Sequence, residues 1–269
     1  MVTTLVVVGL ALVLGMAANR LLRHRLLGED AEALTVRDFL EPLLTLAVLV
    51  LAFVMVLAAE SYGNAEDAAR AEAGVVDHLF EVSDFAPDAQ RERLQADAVC
   101  YARAVHSREW PAMVDGNGSS TPSRWSTDFR MQLKQMDRQD SVFEILVTAD
   151  RDRSEARQTR IAESTPAIAP LFYWFMLVTL AVTVIVLAFC LPRRKCGTEI
   201  TLLIVLTTLL TSSLLIIHDV DRPFDGLIDV PPTAMAEAER DVADDFAAAY
   251  GESRLPCDTE GQVREPSAA

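Results

Sequence analysis

Apolar residues gather in four long runs along the chain, at 2–18, 43–59, 167–191 and 200–217, and no run contains a charged residue. At a 1.5 Å rise per residue each makes a helix of ~26–37 Å, which matches a hydrocarbon core of ~30 Å. The bland alternative for the shorter runs is a buried core helix. The pattern predicts span one at 1–18, a short basic loop at 19–40 and span two at 41–59, with Glu41 at the interface. A helical extramembrane domain follows at 60–165, then span three at 167–191, a second basic loop at 192–199 and span four at 200–217. The remainder, 218–269, reads as an acidic tail with a helix over 234–250 and disorder from about 251.

Between spans two and three the periodicity is helical throughout. Leu94, Ala98, Tyr101 and Val105 form one amphipathic stripe, and Trp125, Phe129, Leu133 and Met136 form another. Pro87 and Pro122 fit first-turn positions, and residues 115–120 read as a loop. Strand alternation is absent from the pattern. The expected fold class is therefore all-α: four transmembrane helices with an inserted helical extramembrane domain between spans two and three.

Composition sharpens this. Of 269 residues 51% are hydrophobic and 23% charged, with a net charge of −15. Hydrophobic and charged residues are thus segregated, as in a membrane protein rather than a soluble enzyme. The acidic balance also excludes a nucleic-acid partner, whose phosphates need a basic surface. Residues 60–165 carry net −7 and residues 218–269 net −9, so the negative charge sits in two segments.

Lys and Arg in short loops set orientation. Arg20, Arg23, Arg25 and Arg37 lie between spans one and two, and Arg193, Arg194 and Lys195 between spans three and four. Both loops are therefore assigned to the cytoplasm, and the middle domain and C-terminus to the outside. Basic residues follow the first run rather than precede it, which favours a retained anchor over a cleaved signal peptide. On this topology Cys100 and Cys257 both lie where a disulfide persists. A pairing that ties the tail to the middle domain is one reading; two unrelated small apolar residues is the other.

Chemistry is sparse. There is no phosphate-binding glycine loop, nucleophile elbow or Cys-x-x-Cys pair, and nothing supports an enzyme. His78 with Glu81, and His106 with Glu109, read as surface polar pairs, since zinc needs three or four ligands. Arg151, Arg153, Arg157 and Arg160 alternate with acids and read as a solvated helix face. In span four, Thr207, Thr208, Thr211 and Ser212 suit helix packing or a water-filled path. After it, Asp219, Asp221, Asp225 and Asp229 offer hard oxygens to Ca²⁺, although a helix stop with a solvated acidic collar is the plainer reading. No other cofactor is expected.

Three short patterns resemble the bestrophin-like domain family of bacterial membrane proteins. They are Tyr101 followed by Glu109-Trp110-Pro111 and Gly116; Arg151 and Arg153 leading to Pro166; and Asp221-Arg222-Pro223-Phe224-Asp225-Gly226. With the four-span layout the resemblance covers about residues 1–235. It implies similarity to the bestrophins, pentameric Ca²⁺-regulated anion channels with a Pro-Phe and acidic residues after the last span. Here Gly226-Leu227-Ile228 interrupts the acidic run. Bestrophins also keep the middle segment and tail in the cytoplasm, opposite to the charge-based topology. The expectation is a multi-pass protein of the bacterial cytoplasmic membrane, in contact with the lipid bilayer and homo-oligomeric. Two functions fit: an ion channel with span two, and span four as a further candidate, facing the axis; or a non-conducting scaffold or sensor whose acidic domain binds a partner or cations.

Overall fold

The computed structural model describes residues 2–21, 33–191 and 197–264. Arg23, Arg25, Arg193, Arg194, Lys195 and Cys196 lie outside them, as does the side chain of Arg37. Eight helices carry the described chain: α1 (Val2–Leu21), α2 (Ala33–Ser83), α3 (Asp88–Ala104), α4 (Thr121–Leu133), α5 (Ser141–Glu163), α6 (Pro170–Phe189), α7 (Gly197–Val220) and α8 (Thr233–Tyr250). Among the described residues no sheet forms; the one pairing is an isolated bridge between Cys257 and Val263. Two compact units result, one from Met1–Glu60 with Ala167–Asp221 and the other from Ser61–Pro166 with Arg222–Ala269.

Among the described residues four helices are long and apolar enough to cross a membrane, and their apolar stretches lie in the first unit. Its interior is aliphatic, with Val8, Leu51, Leu177, Leu180, Val184 and Leu214 buried together. Small residues set the closest approach: a Cβ at Gly15 would lie 2.6 Å from that of Ala188. In lipid, where hydrophobic attraction between helices vanishes, such close backbone packing is what holds helices together. Polar side chains close both ends of the α1–α6 pair. Thr4 and Tyr173 share a 2.6 Å hydroxyl bond, and Asn19 donates to the carbonyls of Ala188, in the last turn of α6, and of Leu191 just beyond it. In α7, Thr201 and Ser213 donate to the carbonyl one turn back. Thr207 and Thr211 are buried with no hydrogen-bond partner among the described residues.

Span two does not end as a helix at residue 59. Neither Gly63 nor Gly74 stops it, and α2 runs unbroken through 51 residues to Ser83, giving its second half to the other unit. There α3 is the centre. A single amphipathic stripe was expected, yet every residue from Leu94 to Ala104 is buried. Ala96, Ala98, Ala102 and Ala104 are small enough to let neighbours approach from several sides, which an apolar stripe alone does not reveal. Ser119 Oγ accepts from Thr121 N at the start of α4, and Asp140 caps α5 through Val142 N at 3.1 Å.

The expected disorder from about 251 is corrected by the structure. Leu255 and Cys257 are buried. Cys257 is joined to Cys100 of α3, with Cα atoms 5.8 Å apart. Trp125 donates its indole N–H to Gly261 O at 2.6 Å, and Arg254 forks onto Glu92 with two 2.7 Å bonds. Gly261 has φ 73°, and a Cβ there would strike the Ala104 backbone. Composition signals disorder only locally; these anchors come from distant sequence. Cys257→Ala should cost about 2–4 kcal/mol and expose the chain after Tyr250 to limited proteolysis, whereas Gly261→Ala should weaken the same segment with the disulfide intact.

Candidate functional site

Helix α5 sets the geometry of the second unit's charged centre. Arg153, Arg157 and Arg160 stand four and three residues apart, so they share one helical face. That face points inward. The side chains of Arg153 and Arg160 are 2% and 0% exposed, which overturns the reading of this stretch as a solvated face. Arg151, on another face, is exposed beside Asp152.

Opposite them the chain brings Tyr101 from α3, Glu72 from α2 and Glu109 from a π turn, Val105–Glu109, that extends α3. The extra residue in that turn re-aims the side chains that follow. Arg160 donates Nε to Glu72 and Nη2 to Glu109 at 2.6 Å, and its Nη1 meets Met113 Sδ. Arg157 grips the same Glu109 carboxylate, with Nη2 to Oε1 at 2.5 Å, and reaches Ser119 O and Ser123 Oγ. Tyr101 donates its hydroxyl to Glu72 at 2.5 Å. Arg153 lies 4.6 Å from the centre of the Tyr101 ring while bonding Asp150 at 2.6 Å, and Arg160 stacks 5.2 Å from that of Trp110.

Electrostatics follow from burial and pairing together. Burial pushes the Glu109 carboxyl up, but the bonds from Arg157 and the charge of Arg160 outweigh it and hold it below the usual carboxylate range. Burial likewise pulls Arg160 down, and Glu72 and Glu109 more than offset it, so the guanidinium stays charged. Tyr101 is raised by burial and by its Glu72 neighbour. In this centre opposite charges are matched by charge-assisted hydrogen bonds from three separate stretches of chain, which suits a structural joint.

The sequence-predicted residues fall around this network. Trp110 donates its indole N–H to Val230 O at 3.2 Å and meets Phe224 edge-on, with ring centres 5.4 Å apart. Val230 N in turn bonds Pro223 O at 2.7 Å. Gly116 takes φ 69°, in the left-handed region a turn requires, and Gly226 takes φ 147°. His106 does not pair with Glu109; it bonds Glu239 of α8 at 2.9 Å.

The four aspartates have separate duties. Asp221 accepts the N–H groups of Ala167 and Ile168, 3.1 and 3.0 Å, Asp219 is buried, Asp225 pairs with Arg222, and Asp229 offers its main-chain carbonyl to Tyr62. Among the described residues no three His, Cys, Asp or Glu side chains gather as metal ligands.

Fold and network together describe an all-helical membrane protein whose extramembrane unit is held by a buried arginine–carboxylate centre. The bestrophin-like domain model matches residues 2–235, and the chain belongs to that family. Its fold is that of crystallised bacterial bestrophin homologues from Klebsiella pneumoniae. One variant structure matches with TM-score 0.69 at 12% identity over 90% of this chain and 98% of that one. A second, phased on zinc, matches with TM-score 0.69 at 12% identity over 91% and 97%. No curated protein sequence matches the chain.

Sequence reasoning missed Glu72, Arg157 and Arg160 as members of the centre. The available signal was the common face of the three arginines; Glu72, which Arg160 meets, lies on α2 and carries no local signature. Arg160→Met should destabilise the protein by about 3–5 kcal/mol in denaturant unfolding, since it removes the ion-pair partner of buried Glu72 and one of the two that hold Glu109. Arg151→Gln should change it by less than about 0.5 kcal/mol.

Proposed function

We propose that the protein is an oligomeric ion channel of the bacterial cytoplasmic membrane. The observation that carries this reading is a fold match over nearly the full length of both chains to bacterial bestrophin homologues, joined to membership of the bestrophin-like family. The membrane unit supports it. Leu49, Phe53, Leu171 and Phe175 are exposed and line an open apolar groove of about 740 Å³, a surface suited to lipid or to a neighbouring copy. With net −7 and −9 in the two polar segments, ions entering from that side are enriched in cations.

The second unit faces outside the cytoplasm in this proposal. Basic loops between the spans support that orientation, and so does the buried Cys100–Cys257 bond, which needs an oxidising compartment to form. The orientation is opposite to that of the bestrophins. A non-conducting scaffold whose acidic domain binds a partner is the second reading, favoured by the ordered tail packed on the domain.

Two measurements test these readings. Purified protein in planar bilayers should pass current and run above monomer mass in detergent; a strict monomer without current removes the channel and leaves the scaffold. A topology reporter fused after Ala269 should read extracytoplasmic, and a cytoplasmic signal reverses the orientation.

A further inference from the structure

Asp97 stands apart from the arginine centre and takes no part in it. Its side chain is 0% exposed, and neither carboxylate oxygen has a hydrogen-bond partner among the described residues. The nearest cation is Arg93, one turn back on α3, with Nε 3.2 Å from Oδ1 but not aligned as a donor. That guanidinium is already engaged across the helix pair, donating Nη2 to Asp128 of α4 at 3.3 Å. One half-exposed arginine thus serves two carboxylates, and the buried one has the poorer share.

Other charged groups around α3 are committed elsewhere. On α8, Glu239 binds Arg103 and His106. In the tail, Arg254 holds Glu92 and the Asp258 carbonyl accepts from Arg103. On α2, Glu72 faces Tyr101. On α4, Arg130 turns to Asp150, and Arg124 is exposed. Among the described residues, Arg93 and Asp128 are the charged groups that act on Asp97.

We propose that Asp97 carries a proton in the folded protein at neutral pH, and that its release in mildly alkaline surroundings loosens the seam between α3 and α4. A buried carboxylate with a half-exposed, shared cation beside it and no hydrogen bond is costly as an anion, so it stays neutral or draws in water. Burial raises the Asp97 carboxyl to about 8, the Asp128 charge adds to the rise, and Arg93 opposes it. The seam matters because α3 carries Tyr101 into the arginine centre and α4 carries Ser123, which accepts from Arg157. The proposal does not rest on conduction.

Because the folded state binds this proton more tightly than the unfolded chain, stability falls as pH rises from the ordinary Asp range to about 8 and levels off above it. In the full-length protein in detergent, a protonated-carboxyl infrared band should be present at pH 7 and missing in Asp97→Asn. The melting temperature of the wild type should fall between about pH 5 and pH 8 more steeply than that of Asp97→Asn. Should that variant not fold, two others decide: Asp128→Asn should move the band's titration to lower pH and Arg93→Gln to higher pH. A wild type without the band at pH 7, pH slopes equal in wild type and Asp97→Asn, or a titration that neither neighbouring substitution moves would overturn the proposal.

Discussion

Arg160 is fully buried between the carboxylates of Glu72 and Glu109, and the second unit is organised around that arrangement. A guanidinium taken out of water must find its charge and hydrogen bonds locally. It finds them on α2 and on the π turn after α3, and so fixes how three stretches of chain meet. Replacing the whole set by apolar groups of the same shape could hold the fold as well; removing one member could not. The network ties the register of α5 to its neighbours, because Arg160 meets Glu72 and Glu109 together.

The post-span segment and the tail extend the same logic. Phe224 and Val230 engage Trp110, next to Glu109, so the last membrane helix is followed directly by chain that packs on the residues flanking the charged centre. Farther on, the segment from Leu255 to Gly261 closes over α3 through the disulfide and the Trp125 indole. The family match ends at residue 235, short of the disulfide-anchored segment at Cys257.

Inside the membrane unit the forces differ. Aliphatic packing and the absence of a Cβ at Gly15 bring helices close, and the side-chain bonds between α1 and the α6 segment, from Thr4 and Asn19, lie near its ends. The centre of each span stays free of charge, so the runs themselves carry no relay of ionisable groups.

The four spans, the all-helical class and the family were legible in sequence because they depend on local quantities: run length, helical period and short ordered patterns. Tyr101, Glu109, Trp110 and Arg153 were also visible, as parts of those patterns, but not their purpose. Whether an arginine is solvated or buried is decided by which helices surround it, and Arg157 and Arg160 looked like their exposed neighbour Arg151. The tail from residue 251 looked disordered for the same reason, since its anchors on α3 and α4 are more than a hundred residues away. Sequence by itself determined which segments leave water and which remain helical. Tertiary structure alone decided which charges are matched in the interior, because that depends on distance in space rather than distance along the chain.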